Sequence, residues 1–154
     1  MKLSLIEKII GSGLLTGFSP FASGTVASFL ALLIYLFVPG FSNPTLMMLL
    51  ISFLLLIGVK LAVKFETIYG NDPKQFTLDE FIGSWISFLF LPKKLWIVIP
   101  AFLIWRMMDI YKPFPIKNLE KYKNGWGVIL DDVLAGLFSF FVIQISLHFI
   151  NRLF

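Results

Sequence analysis

The stretch from Thr45 to Val63, "TLMMLLISFLLLIGVKLAV", carries a single charge, Lys60, and is otherwise almost entirely apolar. As a helix it is long enough to cross a hydrocarbon core of about 30 Å. Three further apolar regions surround it. Thr25 to Val38 comes before, and Val133 to Phe149 closes the chain. Between them lies a broken region, Phe81 to Leu91 and Leu95 to Trp105, split by "PKK". Each arm of the broken region supplies roughly 16 Å of helix at about 1.5 Å per residue, so neither arm crosses alone. A helical hairpin is predicted there, lengthened by its flanking polar turns. The expected fold is therefore all-α: a polytopic helical membrane protein with about four membrane-embedded regions, forming one domain over residues 1–154.

Composition agrees. The chain is 58% hydrophobic and 14% charged, with mean hydropathy +0.87. Soluble domains run near 45–50% apolar and about 25% charged. The net charge is +4, but the basic residues are not interleaved with aromatics on a polar surface, so nucleic acid is excluded as the expected partner. Cysteine is absent, which removes disulfides, thiolate metal sites and a cysteine nucleophile. The one histidine, His148, lies in an apolar run and reads as an interfacial side chain. Glu7 and Lys8 interrupt the first apolar stretch and no small-residue cleavage signature follows, so no signal peptide is read.

Lys and Arg orient the chain. The Pro39–Pro44 loop has none. Lys60, Lys64, Lys74, Arg106, Lys112, Lys117, Lys121 and Lys123 flank the later apolar regions, which places those flanks in the cytoplasm. Lys93 and Lys94, in the hairpin turn, dissent. The acids follow the same rule: all except Glu7 fall in the cytoplasmic segments.

Three acidic clusters abut apolar helices: "LDEFIG" with Asp79 and Glu80, "RMMDIYKPFPI" with Asp109, and "LDDVLAG" with Asp131 and Asp132. Each pair alone reads equally well as a helix cap and as charge placed at the positive end of a helix dipole. Together, at one face of a charge-poor chain, they form a self-repelling group that a cation would neutralise. All-oxygen donors select Mg²⁺, Mn²⁺ or Ca²⁺. Lys112 stands three residues after Asp109, on the same face if the helix continues, and Pro113 ends that helix. Lys112 and Arg106 could grip phosphate oxygens, or form an interfacial basic belt. The loop "GSGLLTGFSPFASGTVAS" leads into a helix whose free amides make an anion site, with Ser23 or Thr25 as the expected cap. "YKNGWGVILDD" brings Gly125 and Gly127 up to the third acidic pair.

In order and spacing, "GFSPFASGT", "DEFIG", "DIYKPFPI" and "GVILDDVLAG" resemble the motifs of the phosphatidylglycerophosphatase A family. The resemblance covers about Gly11 to Gly136. It implies a Mg²⁺-dependent lipid phosphatase of the bacterial inner membrane. Such an enzyme removes the terminal phosphate of phosphatidylglycerophosphate at the cytoplasmic face, and its partner is the phospholipid in the bilayer. Carried over by motif, the acids are Asp79, Glu80, Asp109, Asp131 and Asp132, the basic residue is Lys112, and the loop brings Ser19, Gly24 and Thr25. Two positions depart: Ser23 stands where a proline usually precedes Gly-Thr, and Ala27 where glycine is common. On this basis Asp79, Asp109, Asp131 and Lys112 are expected to be catalytic. Ser19, Gly24, Thr25, Lys112 and Arg106 are expected to bind phosphate, and Asp79, Glu80, Asp131 and Asp132 to hold Mg²⁺. Composition leaves no cysteine phosphatase, and no Asp-x-Asp signature is present. The rival readings are a divalent-cation transporter or channel, a non-catalytic scaffold, and a phosphatase for another lipid phosphate monoester.

Overall fold

The computed structural model describes residues 2–153, and among them every regular element is a helix. Helix α1, Leu5–Gly11, opens with a capping box between Ser4 and Glu7, the arrangement that satisfies two of the first-turn amides. Lys64 also bonds the Glu7 carboxylate, tying α1 to the third helix. A 3-10 turn, Thr16–Phe18, leads to α2, Ser23–Phe37. Helix α3, Pro44–Tyr69, starts where sequence rules place it: Asn43 caps the Leu46 amide at 3.1 Å, and Pro44 takes the first turn. Its 26 residues span about 39 Å.

The broken region folds as α4, Leu78–Ser87, and α5, Leu95–Tyr111. A short α6, Ile116–Leu119, precedes α7, Trp126–Leu153. Two helices, α3 and α7, are long and apolar enough to cross a membrane by length and composition. The shorter α2 is apolar over 15 residues. Leu49, Phe53 and Leu56 on α3 leave apolar side chains outward, as do Leu95, Trp96 and Leu103 on α5, and Phe141, Ile145 and Phe149 on α7.

The hairpin differs from the expected pair of equal arms. The first arm begins at Leu78 and ends at Ser87, while the second runs on to Tyr111. Nor does α4 present a lipid-facing side, because Leu78, Asp79 and every residue from Phe81 to Ser87 are buried. It is the central helix, packed by α2, α3, α5 and α7. Gly83 permits the closest approach: a Cβ there would stand 2.7 Å from the Trp105 indole nitrogen and 2.8 Å from the Asp132 carbonyl oxygen.

The connection from α4 to α5 is not helical, so its backbone needs other partners. Tyr35 donates to the Leu91 carbonyl at 2.5 Å, and Gln144 to the Leu89 carbonyl at 3.0 Å. Lys93 donates to the Val38 carbonyl at 2.6 Å, just past the C-terminus of α2. The hairpin tip thus lies at the C-terminal end of α2. This accounts for Lys93, whose ammonium meets the carbonyl of the residue that ends α2.

Candidate active site

The opposite end of the bundle gathers the start of α2, the 72–77 segment that follows α3, the start of α4, the end of α5 and the start of α7. There they enclose a cavity of about 630 Å³. All the residues singled out by sequence line it: Ser19, Gly24 and Thr25 from the first loop and α2; Asp79 and Glu80 from α4; Arg106 and Asp109 from α5; Lys112; and Asp131 and Asp132 from α7.

Asp79 and Glu80 occupy the first turn of α4 after Thr77, where helix-dipole placement accounts for part of their presence. That account fails for Asp131 and Asp132. Helix α7 begins at Trp126, so these two lie beyond its first turn and cap nothing. Asp79, Asp109, Asp131 and Asp132 are all buried. Asp79 Oδ1 accepts from the Glu80 amide and Asp131 Oδ1 from the Asp132 amide, both at 3.0 Å. Asp132 Oδ2 is buried without a hydrogen-bond partner.

The cations are inside the site rather than in a belt around it. Arg106 Nη1 donates to Glu80 at 2.7 Å and to Asp109 at 2.5 Å, and its Nη2 to the Thr25 hydroxyl at 3.2 Å. Lys112 donates to Asp131 at 2.6 Å and to Glu120 at 2.7 Å. Burial works against the Lys112 ammonium, but its bonds to Asp131 and Glu120 outweigh that and raise its pKa, so it stays charged. As expected, α5 ends before Pro113; Lys112 is its left-handed C-cap (φ 43°), and its side chain reaches Asp131 on α7.

The loop also departs from expectation. Neither Ser23 nor Thr25 caps α2; the cap position is Ala22, left-handed and without a side-chain bond. Ser23 instead donates to the Lys74 carbonyl at 2.8 Å, pinning the 70–77 segment to α2. The first-turn amides of α2 thereby keep no side-chain cap at the cavity wall. Gly24 is needed there: a Cβ would fall on Glu80 Oε1.

Asp72, Lys74 and Thr77 also line the cavity, and sequence reasoning did not select them as site residues. The signal was the short polar segment "NDPKQFT" directly before Asp79. A second cavity, about 590 Å³, adjoins the first through Asp72, Val128 and Asp131, and carries Lys121 and Lys123. His148 is exposed near the far end of α7, away from both.

Six carboxylates (Asp72, Asp79, Glu80, Asp109, Asp131, Asp132) share the first cavity with three cations (Lys74, Arg106, Lys112). Among the described residues, no three acids already converge as a metal cage. The donor set nonetheless fits a hard divalent cation: it is all oxygen, strongly acidic, and includes the orphaned Asp132 Oδ2.

An all-helical bundle with apolar flanks and an acidic, cation-bearing cavity at one end is the layout expected of a membrane-associated phosphohydrolase. The comparisons with known proteins make that class particular. Residues 9–147 match the family model described as Phosphatidylglycerophosphatase A, and the chain belongs to that family. It is 32% identical to the Phosphatidylglycerophosphatase A of Escherichia coli K12, over 90% of this chain and 82% of that one. Against the protein of the same name from Haemophilus influenzae it is 30% identical, over 92% and 90%. It is 37% identical to a Bacteroides thetaiotaomicron protein named "Putative phosphatidylinositol-3-phosphatase", over 93% of this chain and 94% of that one. No solved structure gives a significant match.

Proposed function

We propose that the protein hydrolyses the terminal phosphate monoester of phosphatidylglycerophosphate, releasing phosphatidylglycerol and inorganic phosphate. The observation that carries this reading is the convergence of all four sequence motifs on one cavity, in a chain of the Phosphatidylglycerophosphatase A family. The family relatives by that name supply the substrate.

In this reading Asp79, Glu80, Asp131 and Asp132 would hold Mg²⁺, which would offset the phosphate's negative charge. The charge balance supports a divalent cation: the lining acids exceed the cations by three, so a phosphate dianion entering alone would be repelled. Arg106 and Lys112 donate to the phosphoryl oxygens, aided by the uncapped amides of α2. Asp109, buried beside Arg106, takes a proton from water. The water oxygen bonds to phosphorus, the ester P–O bond breaks, and the proton held by Asp109 passes to the departing glycerol oxygen.

The bundle would stand across the bacterial cytoplasmic membrane with α2, α3, the α4–α5 hairpin and α7 as its membrane-embedded regions. The cavity would face the cytoplasm, where Lys60, Lys64, Lys74 and the 112–123 lysines lie. Acyl chains remain in the bilayer while the head group reaches the acids.

A second reading keeps the chemistry and changes the head group, because the Bacteroides relative carries a phosphatidylinositol-3-phosphatase name. Both are tested by phosphate release in neutral detergent micelles, with Mg²⁺ or EDTA, on wild type and Asp79→Asn. Metal-dependent release from phosphatidylglycerophosphate that the variant lacks is the expected result. Release from phosphatidylinositol 3-phosphate alone would transfer the assignment to the second reading. Release from neither, by well-folded protein, refutes both.

A further inference from the structure

Resting on that phosphatase reading, we propose that Lys74 is a specificity-determining residue: its ammonium takes the phosphodiester of the lipid substrate while the monoester occupies the acidic end of the cavity. Three cations line the cavity, and they are not equivalent. Arg106 is held by Glu80 and Asp109, and Lys112 by Asp131 and Glu120. Among the described residues Lys74 is the cavity cation that makes no ion pair. A lysine that lines an acidic cavity and is left out of its salt bridges has its charge available to a ligand.

Its position is fixed from behind. Pro73 is buried, the Ser23 hydroxyl holds the Lys74 carbonyl at 2.8 Å, and Gly11 accepts from the Thr77 amide at 3.0 Å. Lys74 is exposed, and it lines the cavity together with residues of the Gly17–Ser23 loop. That loop carries Phe18 and the strongly exposed Phe21, an apolar edge suited to the acylated side of a lipid. The one cavity thus brings Lys74, an apolar edge and the acids together.

A lipid of this kind has two phosphates of different character. The diester carries one negative charge and sits next to the acylated glycerol; the monoester carries up to two and lies beyond the head-group carbons. A lone, solvent-facing ammonium matches the first, and the carboxylate-bound Arg106 and Lys112 match the second with its metal. Because Lys74 is exposed, its contribution is modest: about tenfold in affinity for the diester.

The two reaction products separate the two phosphates. Short-chain phosphatidylglycerol carries only the diester, and inorganic phosphate only the other group. Binding of each to the Mg²⁺-loaded full chain in neutral detergent is measured by calorimetry, alongside turnover of short-chain phosphatidylglycerophosphate. For Lys74→Gln the expected result is about tenfold weaker phosphatidylglycerol binding and a matching rise in KM, with inorganic phosphate binding and kcat unchanged. Lys74→Arg restores the affinity. Lys94→Gln, which removes the same charge at the opposite end of the bundle, changes nothing. Phosphatidylglycerol binding unaltered by Lys74→Gln overturns the proposal, and so does an equal loss for both products. Failure of the wild type to turn over phosphatidylglycerophosphate refutes the reaction instead, while the Lys74 dependence of phosphatidylglycerol binding still decides the diester site.

Discussion

Replacing Gly24 by Ala tests whether the position of Glu80 matters to catalysis. The new methyl would fall on Glu80 Oε1, 3.0 Å from its Cδ and 3.4 Å from Arg106 Nη2. The obstruction is the far end of a flexible side chain, so Glu80 swings away and the helices stay. That swing breaks the 2.7 Å bond to Arg106, a charge-assisted contact worth about 1.5–3 kcal/mol. Alanine in a helical turn returns up to about 1 kcal/mol. The net loss of stability is therefore about 0.5–3 kcal/mol, or a fall in Tm of about 1–12 °C for a chain of this size. Activity should suffer far more, since misplacing a reacting group by about 1 Å costs about a hundredfold. Phosphate release from phosphatidylglycerophosphate is compared for wild type, Gly24→Ala, Glu80→Gln and the double variant, with unfolding followed by circular dichroism. If Glu80 carries the effect, adding Gly24→Ala to Glu80→Gln lowers kcat/KM little further. A single variant within threefold of wild type, or fully additive losses, refutes the reasoning.

Other perturbations separate packing from chemistry. In Gly83→Ala the methyl meets the Asp132 carbonyl and the fully buried Trp105, neither of which can swing aside, so Tm should drop by about 3–10 °C; an unchanged Tm contradicts the close α4–α7 contact. Asp132→Asn keeps the shape and removes a charge whose Oδ2 has no partner, so phosphate release should fall by more than about a hundredfold while thermal unfolding in EDTA is unchanged or later; lost folding would show a structural role. EDTA should abolish phosphate release and millimolar Mg²⁺ restore it. Without substrate, Mg²⁺ at about 100 times its Kd should stabilise wild type by about 2.7 kcal/mol, an increase in Tm that Asp132→Asn loses.

The site was legible because its chemistry is concentrated in a chain with few charges. "DEFIG", "DIYKPF" and "LDDVLAG" stand out against apolar neighbours, and each supplies a wall of the cavity. What the sequence hid is side-chain direction. Capping chemistry favours Ser23 or Thr25 at the start of α2, but the backbone turns at Ala22 and both hydroxyls serve other groups: Lys74's carbonyl and Arg106. Pro113 marks the end of α5 in the sequence, but not the left-handed turn at Lys112 or its reach to Asp131 on α7. Asp72 and Lys74 went unselected because loop residues carry no periodicity. Bonds such as that from Ser23 to the Lys74 carbonyl reveal that the loop is held against the site.

The hairpin shows why hydropathy alone misjudged the architecture. An apolar run beside a polar cluster is what a lipid-facing arm looks like, and equally what a fully buried helix looks like. The carboxylates decide between them. Asp79 and Glu80 line one cavity with Asp131 and Asp132, and α4 presses against α7 to bring them there. Gly83 allows this, with only hydrogen where a methyl would strike the Asp132 backbone. A helix held that closely by α7 and covered by α2, α3 and α5 has no side left for lipid. Its early end at Ser87 then exposes non-helical backbone deep in the bundle, which is tolerable only if protein groups satisfy it. Tyr35 and Gln144 do so. These two polar side chains, on α2 and α7, are scattered in the sequence and neither belongs to the acidic motifs. They belong to the site all the same, because without them the short helix that carries Asp79 and Glu80 could not stop where it does.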